Sequence, residues 1–105
     1  MPRYRIVHEI WKTDGIYDFE NYNPYEDFFG YATDNLNGSE FDEEIKSFDS
    51  KEEALEELSK YKCTYEAWED YHQARYNLYA LEEVAYGENN EIEDYNFIKY
   101  ADVDI

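Results

Sequence analysis

Residues 13–45 contain neither lysine nor arginine. A stretch so free of positive charge cannot hold the phosphates of nucleic acid or the headgroups of an anionic membrane, both of which are negative. Cysteine is almost absent as well. The single Cys63 rules out an intramolecular disulfide, which points to a reducing, cytoplasmic setting in a producing or infected cell. The four glycines (Gly15, Gly30, Gly38 and Gly87) are isolated, so no glycine-rich loop can cradle a phosphate. No apolar run approaches the length of a membrane span, and the opening Met-Pro-Arg-Tyr-Arg lacks the apolar segment of a signal peptide.

Residues for chemistry are equally sparse. Nucleophilic catalysis would fall to Cys63 with His8 or His72. Cys63 follows the end of a predicted helix, where the negative end of the dipole disfavours a thiolate. His8 falls within a predicted strand, as an ordinary core or surface histidine would. Two histidines and one cysteine without local spacing do not make a zinc centre. For calcium, aligning Gly38 with the invariant glycine of an EF-hand loop puts Asn35, Asn37 and Glu44 at ligand positions. The same register puts Thr33 where the first aspartate is required and Phe41 at the ninth position. With 27 acidic residues, carboxylate pairs arise by chance and carry no information about glycoside hydrolysis. The expectation is a protein that is not an enzyme and needs neither metal nor cofactor.

Acid and aromatic residues are what the chain does contain. Its 105 residues carry a formal net charge of −18, and 20% of them are aromatic. Within residues 13–45 stand ten carboxylates: Asp14, Asp18, Glu20, Glu26, Asp27, Asp34, Glu40, Asp42, Glu43 and Glu44. Threaded among them are Tyr17, Phe19, Tyr22, Tyr25, Phe28, Phe29, Tyr31 and Phe41. A disordered acidic tail would have few rings. This segment is expected to turn its rings inward and display its carboxylates. A second acidic block, Glu88, Glu91, Glu93 and Asp94, follows the turn at Gly87.

Periodicity sketches one domain over 1–105. Residues 4–11 alternate as a strand, with Tyr4, Ile6, His8 and Ile10 on one face and Arg5, Val7, Glu9 and Trp11 on the other. Asn23-Pro24-Tyr25-Glu26 starts a predicted helix to about Ala32, and 41–48 reads as a short strand. Asp49 or Ser50 caps a helix over 50–61 that buries Ala54, Leu55, Leu58 and Tyr61. The spacing of Tyr65, Trp68, Tyr71 and His72 predicts another helix over 65–75. Strands follow at 76–86 and 95–103. The predicted class is α+β, a small antiparallel sheet of three to four strands with two to three helices packed on one face.

Solubility alone would spread the acids evenly, but this chain concentrates them. A small domain dense in carboxylates can imitate the charge of DNA or RNA. In size, charge and missing catalytic residues, the chain resembles the small acidic inhibitors that phages and mobile elements carry against restriction or CRISPR nucleases. The resemblance implies a DNA-mimic inhibitor, monomeric or a small homo-oligomer. It would occupy the cationic groove of a basic nucleic-acid-binding protein such as a nuclease, without touching nucleic acid or membrane itself. The carboxylates of the first block, with Tyr22 and Tyr25, are the expected contact residues, and the Glu88–Asp94 block is a secondary one. The alternative is a cytosolic acidic adaptor or immunity-type protein that recognises a basic surface unrelated to nucleic acid.

Overall fold

In the computed structural model, residues 3–26, 28–32, 41–89 and 91–104 are described. The elements are β1 (Arg3–Thr13), α1 (Phe28–Ala32), β2 (Phe41–Phe48), α2 (Lys51–Leu58), β3 (Thr64–Trp68), a 3-10 turn (Glu69–Tyr71), β4 (Gln73–Tyr86) and β5 (Ile92–Tyr100). The described residues are mostly sheet, 53% strand against 17% helical, curled into an antiparallel half-barrel.

This corrects the expected sheet with two to three helices on one face. The predicted helix over 65–75 is instead β3, the 3-10 turn and the start of β4. Rings at positions 65, 68 and 71 satisfy a helical period, yet Thr64, Tyr65, Trp68 and Tyr76 are also strong strand formers. The edge of β4 away from β1 decides between the two, because Tyr65 pairs with Tyr76 and Trp68 with Gln73. The Arg75 guanidinium lies 3.4 Å over the Trp68 ring and locks the hairpin. His72 makes the reversal in the left-handed region, at φ 56°.

β4 is the spine. One edge pairs with β1 along its length, from Arg3 opposite Val84 to Thr13 opposite Ala74. Its other edge is shared, β3 taking residues 73–77 and β5 residues 80–86. β2 closes the outer side of β1. Cross-strand partners share a face, so the register sorts the side chains. The alternation expected for 4–11 holds, and Arg5, Val7, Glu9 and Trp11 share one face with Leu78, Ala80 and Glu82.

The two helices lie on opposite faces. α2 covers the face of Ile6, His8 and Tyr79; Tyr61, just after it, stacks on Tyr79 with centroids 5.0 Å apart. Ser50 caps α2 by accepting from the Glu53 N–H, while Glu52 and Glu53 favour its positive end. Ala54 and Leu58 are its buried stripe. The helix stops at Leu58 because Lys60 and Tyr61 donate to Glu57 and Leu58, tightening the last turn. The short α1 sits on the other face, with Phe28 edge-on to Tyr76 and Phe29 stacked 4.6 Å from Tyr100. The helix expected from Pro24 shrinks to this piece. Asn23 Oδ1 accepts from the Tyr25 N–H two residues on and closes a local turn instead.

β5 spans Ile92–Tyr100 rather than 95–103, and Val103 forms an isolated parallel bridge with Cys63. One cluster runs through the molecule, with Ile6, Ala54, Cys63, Ala74, Tyr76, Leu78 and Leu81 fully or almost fully buried.

Candidate functional site

β1 and β4 run antiparallel, which fixes where the acidic blocks lie. The loop after Thr13 leaves one end of the sheet and the β4–β5 hairpin leaves the other. The molecule extends 49 × 26 × 17 Å, so the start of the first block, in the loop after Thr13, and the block at the β4–β5 hairpin lie at opposite ends of a long slab.

In the first block, Asp14, Asp18, Glu20 and Glu26 are exposed on the loop between β1 and α1. Gly15 starts that loop at φ +79°, a conformation that L side chains rarely adopt. The Ile16 N–H donates to the His72 carbonyl at 2.9 Å and pins the loop to the 3-10 turn. The rings behave as expected for Phe19 and Phe28, which turn towards the core. Tyr22 is also half-buried, its hydroxyl hydrogen-bonded to that of Tyr76, so it anchors the loop more than it faces a partner. Burial beside Tyr22 and Tyr25 pushes the Tyr65 hydroxyl pKa up, desolvation being the larger cause. Tyr25 is 42% exposed and packs its ring near Phe28 and Tyr65. Asp27, Asp34 and Glu40 lie outside the described residues, as do Thr33, Asn35, Asn37 and Gly38 of the calcium register.

Asp42, Glu43 and Glu44 are exposed on β2, but the strand divides them. They stand opposite Glu9, His8 and Val7 respectively. Asp42 and Glu44 therefore share the face of Arg5 and Glu9, while Glu43 points with His8 to the other. At the far end Glu88, Glu91, Glu93 and Asp94 are all exposed. The Gly87 N–H donates to the Glu91 carbonyl at 2.7 Å and closes that tip.

A concave face lies between β2 and β5, and of its lining only Asp42 is among the residues expected from the sequence. There Arg5, Val7, Glu9, Trp11, Asp42, Glu82, Tyr95, Phe97 and Tyr100 line an open pocket of about 410 Å³. Glu82 is 7% exposed, and its Oε1 accepts from Arg5 Nε at 2.9 Å. Glu9 accepts from the Trp11 indole N–H at 2.6 Å. Burial pushes the Glu9 carboxyl pKa up, and Asp42 and Glu82 add to the rise against the Trp11 hydrogen bond. Tyr100 is pushed up to about 12, chiefly by burial and then by Glu9. Tyr95 and Phe97 stand at the mouth, 57% and 52% exposed. The only signal in the sequence was the spacing of Arg5, Glu9 and Tyr95, Phe97 at even intervals on two strands.

Cys63 is fully buried, donating to the Ala101 carbonyl and accepting from the Tyr79 N–H, and burial raises its thiol pKa. Such a thiol is poorly placed for nucleophilic work. Among the described residues no three His, Cys, Asp or Glu side chains converge closely enough to hold a metal ion, and no helix is long and apolar enough to cross a membrane. No protein-family model, curated protein or solved structure matches the chain.

Proposed function

We propose that the chain is a non-catalytic binding protein that occupies the cationic groove of a nucleic-acid-handling protein, such as a restriction or CRISPR-type nuclease, as a mimic of DNA or RNA charge. One observation carries this reading. The described carboxylates of the two acidic blocks are exposed at both ends and along the β2 edge of a slab 49 Å long, and residues 13–45 offer no cation to neutralise them. A duplex of that length carries about 29 phosphates, at one charge per ~1.7 Å of axis. The 27 carboxylates of the chain are of the same order. A Lys- and Arg-lined groove would bind such a surface quickly, steered over distance and sensitive to salt.

Competition tests it. The immobilised chain is exposed to a bacterial lysate, and retained proteins are challenged with duplex DNA or structured RNA at fixed ionic strength. Release by nucleic acid, beyond release by the same salt alone, is the expected result. Retained proteins that bind the chain and nucleic acid together would overturn the mimic and identify an adaptor.

A further inference from the structure

β5 is an edge strand. Among the described residues it pairs only with β4, and every side chain from Ile92 to Phe97 is exposed. An open edge offers unpaired N–H and C=O groups to another chain. Here the Tyr95 N–H donates to the side chain of its own neighbour, Asp94 Oδ1, at 2.8 Å, as an amide with no strand beyond it does. Tyr95 and Phe97 stand 57% and 52% exposed on the same strand. Lys99, the one basic residue after Arg75, has no carboxylate partner among the described residues.

The register shows which of these side chains share a face. Tyr95 and Phe97 stand opposite Val84 and Glu82, whereas Asp94, Asn96 and Lys99 stand opposite Ala85, Glu83 and Leu81 and so occupy the other face. Ile98 is the extra residue of a bulge between Phe97 and Lys99. That pattern is self-complementary. Turned antiparallel on itself about Asn96, the strand sets Tyr95 against Phe97 on one face and, past the bulge, Asp94 against Lys99 on the other. On β2, the opposite edge of the sheet, Lys46 is already held by Glu57 and three consecutive acids would meet a second copy. We propose that β5 is a dimerisation edge, pairing antiparallel with β5 of a second copy of this chain about a two-fold axis at Asn96. Tyr95 and Phe97 of opposite copies exchange main-chain hydrogen bonds, and the symmetry repeats each contact. Asp94 releases the Tyr95 N–H to a carbonyl and takes Lys99 of the second copy. The field between two acidic copies opposes association, but physiological salt screens it beyond about 8 Å. An edge this short is small against the roughly 1,200 Å² of a stable interface, so the dimer is weak and concentration-dependent. Both β2 edges stay free, and the dimer does not depend on the proposed function.

Charge exchange between copies tests the pairing. Sedimentation velocity at physiological salt over a wide concentration range should show a reversible monomer–dimer equilibrium. Lys99→Asp and Asp94→Lys each place like charges across the axis and should weaken it about tenfold. Mixed in equal amounts, the two variants regain opposite charges at both contacts, and a heterodimer as tight as the parent dimer is expected. Recovery on mixing also shows that each variant folds. The same changes made on α2, Lys51→Asp and Glu52→Lys, should leave self-association as in the parent. Asn96→Cys sets two thiols on the axis, within disulfide reach in an antiparallel pair, while Cys63 is fully buried. Mild oxidation of that variant should give a covalent dimer. A parent that stays monomeric throughout, no recovery on mixing, equal losses from the α2 changes, or no cross-link from Asn96→Cys would each overturn the dimer edge.

Discussion

Arg5 and Glu82 face each other across β1 and β4 and form the ion pair that fastens the concave face. They are 77 residues apart in sequence, yet Arg5 Nε lies 2.9 Å from Glu82 Oε1, with the side chains 18% and 9% exposed. A second carboxylate, Glu44 on β2, approaches the same guanidinium at 3.9 Å. One cation therefore links three strands of a strongly negative protein.

Breaking that pair should be costly, because it strands a buried charge. Arg5→Met should destabilise the fold by about 3–5 kcal/mol, and Arg5→Met with Glu82→Leu by much less. Urea unfolding of the single and double variants gives the coupling. A single variant within about 0.5 kcal/mol of the parent would show that the pair is dispensable.

On the opposite face, Leu58 is 2% exposed beneath α2. Leu58→Ala should cost about 2–5 kcal/mol through lost burial and the cavity left behind. Ser50→Ala should cost about 1 kcal/mol through loss of the helix cap. A smaller loss at Leu58 than at Ser50 would mean that the buried face of α2 is wrongly assigned.

The Glu9 carboxyl gives stability a pH dependence of definite sign. Its pKa is raised above the ordinary 4.5, so the native state holds this proton more readily than the unfolded chain does. Stability from this group is therefore lost as pH rises through the raised value, and regained on acidification. Glu9→Gln should flatten the fall in unfolding free energy as pH rises from the ordinary carboxylate range through the raised value. Parallel pH profiles for the two proteins would count against the burial that shifts Glu9.

Cys63 reports on the core. Its thiol is fully buried and its pKa is raised by burial, so a thiol reagent should label it only through opening of the structure. Labelling is expected to track denaturant. Rapid stoichiometric labelling of the native protein would contradict the packing around β4 and Ala101.

Much of the sheet was legible because period-2 alternation is a local signal. The faces of β1, the cap at Ser50 and the buried Leu58 could all be read from neighbours along the chain. Residues 65–75 could not, since rings at 65, 68 and 71 satisfy a helix as well as a hairpin. Long-range pairing of Tyr65 with Tyr76 chose between them. The placement of the helices on opposite faces likewise depends on tertiary contacts, Tyr61 with Tyr79 and Phe29 with Tyr100. At the candidate site the exposed acids were legible by composition. The pocket was not, because Arg5, Glu82 and Tyr95 meet only when three strands are in register.

The most direct test of the central claim compares two triple charge reversals against a captured, nucleic-acid-displaceable partner. One carries Lys at Asp42, Glu43 and Glu44 on β2; the other carries Lys at Glu52, Glu53 and Glu56 on α2, all six positions being exposed. Both change net charge equally, so long-range steering shifts alike. Affinity measured at physiological salt should fall far more for the β2 triple, since a charge desolvated in an interface is worth about 2–5 kcal/mol and a rim charge mainly affects the on-rate. Equal losses from the two triples would mean that only the overall field matters, and would contradict a binding surface built from the first acidic block.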